Sequence, residues 1–156
     1  MGRHLHLDPL SGIAGDMLLG LLVDLGLPID TLRGLPARLG LEGVEVDAEK
    51  VQRGSLAATK VKVRVRGWEE GPDGGSAPKQ HGHGRHLHQM VAILEAAGLD
   101  TAVEHRARRA FELLFAAEAR VHGQGVAEVH LHEAGADDAL VDIIGGCLGV
   151  HELGIT

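Results

Sequence analysis

The chain is nearly devoid of aromatic side chains: two Phe, one Trp and no Tyr among 156 residues. Its core must therefore be aliphatic, built from Leu, Val, Ile and Ala, which a hydrophobic content of 44% can supply. A single cysteine, Cys147, excludes an internal disulfide framework and suits a reducing cytoplasm. Positive charge is not in excess. The formal charge is −7 with histidine neutral, which argues against nonspecific nucleic-acid binding, since that needs a basic, phosphate-neutralising surface. No run approaches the roughly 18 apolar residues of a membrane span. The first residues alternate and carry an acid, instead of forming the apolar core of a secretory signal. The length fits one domain, or one domain of something larger.

What the chain has in quantity is histidine, eleven in all. Four of these fall in His4-Leu5-His6, followed by Asp8, and in His130-Leu131-His132, followed by Glu133. If both stretches are strands, side-chain period two puts each histidine pair on one face and the leucine on the other. His4, His6 and Asp8 then form one row of ligands, and His130 with His132 forms a second. Rows of this kind brought together would make a nitrogen- and oxygen-rich metal site. Taken singly, each stretch also fits a half-exposed strand with leucine inward and histidine in water.

Between these ends the hydrophobic period changes several times. After Asp8-Pro9, two glycines three apart (Gly12, Gly15) precede an apolar helix from about Gly15 to Leu25, with Leu18, Leu21, Leu22 and Leu25 on one face. A strand–turn–helix junction can offer free backbone N–H groups to an anion. It is not a Walker loop, because no Lys follows and the glycine spacing differs. Asp16 would repel a bare phosphate, so the junction suits a metal or a metal-bridged phosphate; alternatively Asp16 only favours the positive end of the helix dipole. Pro28 to Leu39 reads as a short helix broken at Gly34-Leu35-Pro36. Val44–Glu49 alternates apolar residues with acids, and Thr59–Arg66 alternates them with bases. An antiparallel pairing that turns near Gly54-Ser55 would set the acid row against the base row.

Residues 67–85 are rich in Gly, Pro and polar side chains and read as a mobile loop. Its end carries His81, His83, His86 and His88, as either a metal-scavenging tether or a solvated spacer. The helical period resumes with Leu87, Met90, Val91 and Leu94. Thr101-Ala102-Val103-Glu104 has the form of a capping box. It opens a long helix to about His122, with Val103, Ala107, Ala110, Phe111, Leu114 and Val121 inward. The last helix follows Asp137, with Leu140, Ile143, Ile144, Cys147 and Leu148 inward. Asp138 and Asp142 stand four apart and share a helix face. A hard cation such as Mg²⁺ or Mn²⁺ would relieve their repulsion; a solvated acidic face is the plainer alternative.

In combination, Asp8, Ser11-Gly12, Gly15-Asp16-Met17, Val121-His122-Gly123, His130-Leu131-His132-Glu133, Gly135-Ala136-Asp137 and Asp142-Ile143-Ile144-Gly145 resemble the nickel-insertion protein of the nickel-pincer nucleotide cofactor, the cofactor of lactate racemase. Asp138 departs from that pattern, standing where a serine is common. The resemblance implies a cytoplasmic, homo-oligomeric nickel chelatase (cyclometallase). It would insert Ni²⁺ into a pyridinium bisthiocarboxylate mononucleotide, coupled to CTP hydrolysis with Mg²⁺ or Mn²⁺. It also implies an N-terminal domain over residues 1–156, with the nucleotide-binding part of the family lying beyond it, and the cofactor-using racemase as a partner.

The residue chemistry points the same way. Imidazole suits Ni²⁺ and carboxylates suit a harder ion. The expected metal ligands are His4, His6, Asp8, Asp16, His130, His132, Glu133, Asp137 and Asp142, with His81 and His83 on the loop. Ser11, Gly12 and Gly15 are expected to contact the cofactor, and His132 or Glu133 to act as base. The alternatives are a nickel storage or delivery module run by the histidine loop, and a non-catalytic assembly domain. The expected fold is α+β in two layers: a mostly antiparallel sheet from residues near 3–8, 43–52, 57–66 and 128–132, with helices on one face. No nucleic-acid or membrane partner is expected.

Overall fold

The computed structural model describes residues 2–9, 12–65, 84–131 and 136–156. The elements run α1 (Gly15–Asp24), α2 (Ile29–Arg33), α3 (Leu35–Arg38), β1 (Val44–Arg53), β2 (Leu56–Val65), α4 (Leu87–Ala96), α5 (Thr101–His122) and α6 (Asp137–Glu152). The architecture is α+β: an antiparallel two-stranded sheet with helices packed against it.

The hairpin follows the sequence pattern. Gly54, with φ of 62°, opens the two-residue turn, a backbone conformation glycine adopts without steric cost. The register pairs Glu45 with Arg64, Asp47 with Lys62 and Glu49 with Lys60, so acids face bases across the ribbon. Lys62 Nζ lies 2.8 Å from Glu49 Oε1. Such exposed pairs contribute a few tenths of a kcal/mol each and serve mainly to fix register. The opposite face buries Val44, Val46 and Val61 in the core.

The expected strands near 3–8 and 128–132 do not form among the described residues. Each makes one isolated bridge, Arg3 with Ile155 and Arg85 with Leu131. The first joins the N-terminal segment to the chain just beyond α6, and the second joins residues on either side of α4 and α5. A single bridge cannot extend the sheet, so two strands carry it.

Helix α1 lies on β2 and α6. Its contact with β2 is close: a Cβ on Gly20 would run into the Thr59 carbonyl oxygen. Its contact with α6 is close for the same reason. A Cβ on Gly149 would lie 2.8 Å from Leu22 Cδ1, and one on Gly145 would lie 3.1 Å from Leu19 Cδ2. The buried side of α1 is Leu19 and Leu22; Leu25, expected inward, is 47% exposed.

In α5 the buried series is Val103, Ala107, Phe111, Phe115 and Ala119, a strict four-residue step. Val121 falls off that step and is 78% exposed, against expectation. The cap also differs by one residue. Asp100, not Thr101, takes the N-cap position, and its carboxylate accepts from the Ala102 N–H at 2.8 Å. Among the described residues no helix is long and apolar enough to cross a membrane.

Candidate functional site

The start of α1 meets the start of α6. Gly15 is the first residue of α1, and a Cβ there would overlap the Asp142 side chain, 2.5 Å from its Cβ. Glycine therefore lets the two helices close around Asp142. The result is an acidic group at the helix junction, in which the charges of Asp16 of α1 and Asp138 of α6 bear on Asp142. Asp16 Oδ1 accepts from the Met17 N–H at 2.8 Å, and Asp138 Oδ1 accepts from the Ala139 N–H at 2.9 Å. Asp142 Oδ1 is buried with no hydrogen-bond donor.

That orphaned oxygen has an electrostatic consequence. Burial, and then the charges of Asp16 and Asp138, push the Asp142 carboxyl up from 3.8 to about 7. The three carboxylates do not converge as a metal site among the described residues, and what the arrangement leaves is one buried carboxylate oxygen without a donor.

Asp137 is placed differently. It forms an ion pair with Arg85, in a partly buried setting. Sequence alone favours Asp137 over its neighbour; in the structure Asp138 is the one whose charge bears on Asp142.

Three histidines form a second group. The Leu131 N–H donates to the Arg85 carbonyl at 3.0 Å, which lays residues 84–86 along residues 129–131. Gly84 permits this approach: a Cβ there would lie 2.6 Å from the Leu131 carbonyl oxygen. His86 Nδ1 lies 2.9 Å from the Val129 carbonyl oxygen. The His86 ring stands 5.6 Å from that of His88 and 5.7 Å from that of His130, centroid to centroid. Sequence reasoning placed His86 and His88 on the loop and missed this association. A signal was present, because His86-Leu87-His88 is a third copy of the His-Leu-His pattern. Nothing in the sequence marks Arg85.

The N-terminal row falls elsewhere. His4 Nδ1 lies 3.1 Å from the Thr156 carbonyl oxygen, and the Thr156 N–H donates to Arg3 at 2.9 Å. His4 thus sits beyond the C-terminal end of α6, whereas Asp137, Asp138 and Asp142 occupy its first two turns. With 16 residues the helix is about 24 Å long. His4 and His130 therefore associate with opposite ends of α6. His6 and Asp8 are exposed on the segment leading back towards α1. Gly12 donates its N–H to the Pro9 carbonyl at 3.3 Å in the turn before α1. Ser11, His81, His83, His132 and Glu133 lie outside the described residues. Among the described residues no three His, Cys, Asp or Glu side chains converge as a ready metal site.

Comparison with known proteins bears on this arrangement. A protein of Acaryochloris marina named for nickel insertion is 44% identical over 146 residues, covering 93% of this chain and 34% of the relative. One from Roseiflexus castenholzii, likewise named, is 41% identical over 155 residues, covering 99% of this chain and 36% of the relative. The pyridinium-3,5-bisthiocarboxylic acid mononucleotide nickel insertion protein of Staphylococcus epidermidis is 34% identical over 155 residues, again 99% of this chain and 36% of the relative. The chain thus spans about a third of the length of the curated relatives it matches. No solved structure matches it. The family model described as nickel insertion protein matches residues 5–156, and on that match the chain belongs to the nickel insertion protein family.

Proposed function

We propose that this chain is the N-terminal part of a nickel chelatase that inserts Ni²⁺ into a pyridinium bisthiocarboxylate mononucleotide, in synthesis of a nickel-pincer cofactor. The observation that carries the reading is the family match over residues 5–156; the substrate follows the name of the Staphylococcus epidermidis relative. Nickel is a substrate here. Forming a carbon–nickel bond on the pyridinium ring releases one proton and leaves nickel divalent. The protein must then supply ligands that let the ion go, a proton acceptor, and a place for the mononucleotide.

His130, His132 and Glu133 are proposed to contact nickel or the cofactor precursor, with His132 or Glu133 taking the proton. Ser11, Gly12 and Gly15 are proposed to approach the mononucleotide at the turn into α1. Asp8, Asp16 and Asp142 are proposed ligands of a harder ion. The unmet Asp142 oxygen, under the charges of Asp16 and Asp138, supports Mg²⁺ or Mn²⁺ there, although the three carboxylates must draw together to hold it. Such an ion, when bound, supplies positive charge that keeps these carboxylates ionised. Asp137 could join them only by leaving Arg85. CTP hydrolysis, cytoplasmic location, homo-oligomeric assembly and transfer to a racemase are proposed for the longer protein of which this chain spans a third.

The test is cofactor metallation by the full-length protein carrying His130→Ala or His132→Ala. His132→Ala, by loss of a proton acceptor, should slow the step about 100-fold or more, and His130→Ala should slow it by loss of a nickel or precursor contact. Unchanged metallation would leave the assembly-domain reading standing instead. A nickel storage or delivery role is the second reading, favoured by the grouping of His86, His88 and His130. Deletion of residues 71–85 separates the two. Collapse of nickel stoichiometry with metallation intact would make that stretch a store only.

A further inference from the structure

We infer that His86 is the fixed imidazole of a nickel hand-off site, sharing the ion with His88 on one side and His130 on the other. The inference rests on the nickel reading above and adds two ligands to it. A carbonyl oxygen can only accept, so the proton on the His86 ring sits at Nδ1, donated to Val129. In that tautomer the lone pair lies at Nε2. Histidines that bind metals are commonly held this way, with the second ring nitrogen tied to a carbonyl.

The position of His86 is fixed by more than that bond. Its backbone N–H donates to Gln89 Oε1 at 2.8 Å at the start of α4. The neighbouring Arg85 is held by the backbone bond from Leu131 and by the ion pair with Asp137. His88, by contrast, is exposed on α4 and can turn about its side-chain bonds.

Two imidazoles on one divalent ion have ring centroids roughly 5 Å apart, given metal–nitrogen bonds near 2.1 Å. The His86 ring stands 5.6 Å from one neighbour and 5.7 Å from the other, so small rotations reach that geometry with either. The three rings do not converge on one point, and the nearly parallel His86 and His88 planes must turn to bind. The positive end of the α4 dipole further disfavours a cation. Binding there is therefore weak and exchangeable, as delivery requires; a closed cage would keep the ion. Nickel held by His86 and His88 can pass to His86 and His130 without leaving His86. Imidazole ligands suit Ni²⁺ in preference to Mg²⁺ or Mn²⁺.

The experiment is calorimetric titration of the chain with Ni²⁺ alone, in a background carrying His81→Ala and His83→Ala. The background should retain a site that His86→Ala and His88→Ala each weaken by about tenfold or more. His105→Ala, on the exposed side of α5, should leave it unchanged. Because His86→Ala also removes the bond to Val129, His88→Ala with an unchanged circular dichroism spectrum is the decisive variant. No effect of His88→Ala, or an equal effect of His105→Ala, overturns the proposal. Normal metallation by the full-length His132→Ala protein would instead end the catalytic reading, and would leave these affinities as measured.

Discussion

The two ends of α1 carry the same chemical group in opposite circumstances. At its C-terminal end, Asp24 accepts from Lys50 Nζ at 2.7 Å, from the Thr59 hydroxyl at 2.6 Å and from the Thr59 N–H at 2.8 Å. Hydrogen bonds from Lys50 and Thr59 hold its carboxyl down, from 3.8 to about 2. At the N-terminal end, Asp142 meets Gly15 with an oxygen that no donor reaches, and burial pushes it up to about 7. Helix dipoles alone give the reverse order, because an acid is disfavoured at a helix C-terminus and favoured near an N-terminus. Direct donors outweigh the dipole at one end, and desolvation with like charges outweighs it at the other. The first carboxylate is a clamp between helix and sheet. The second is an unmet requirement, which is what supports the proposal of a cation there.

Both ends depend on α1 lying flat on β2, so the substitution with the largest expected effect attacks that seat. Gly20→Ala drives a methyl group into the Thr59 carbonyl, a backbone atom that cannot turn aside. Overpacking of this kind should cost about 3 kcal/mol, measured by chemical denaturation. A variant with wild-type stability would mean that α1 is not seated on β2 as described.

Asp24→Ala should come next, at about 2 kcal/mol, because it leaves the N–H of the buried Thr59 without a partner. The depressed carboxyl sets the pH dependence. Its contribution is full above about pH 4 and is lost as pH falls towards 2. The gap between wild type and variant should therefore narrow over that window. A gap that persists at pH 2 would assign the loss to packing, and the clamp would not be electrostatic.

How much of this was legible beforehand depends on the range over which each feature is decided. The presence of α1, α5 and α6 and the β1–β2 register are decided locally, and acids facing bases across Gly54-Ser55 announce the pairing; the inward faces of α1 and α5 were read only in part, since Leu25 and Val121 are exposed. The expected strands near His4 and His130 were not resolvable, because His-Leu-His reads alike in a ladder and beside a single bridge. The partners that decide, Ile155 and Arg85, are remote in sequence. Asp100 and Thr101 are both good caps standing side by side, and only geometry selects Asp100. Asp137 and Asp138 pose the same problem at the site. Their order is settled by Arg85, 52 residues away, which draws off the first and leaves the second beside Asp142.

The smallest expected effect is the one that bears most directly on the unmet carboxylate. The Asp142 carboxyl lies above its ordinary value, so the folded chain binds more protons than the unfolded one between about pH 4 and pH 7. Stability should fall as pH rises through that window and level off above it. Asp142→Asn keeps the shape and removes the charge. It should abolish the decline and stabilise the chain at pH 8 by on the order of 1 kcal/mol, a value discounted for partial solvent screening. Mn²⁺ added at pH 8 should raise the melting temperature of the wild type and leave that of Asp142→Asn where it was. A wild-type profile flat from pH 4 to 8, together with no gain in the variant, would mean that a donor reaches Asp142 after all. The two ends of α1 would then be alike, and Asp16, Asp138 and Asp142 would have no claim on a cation.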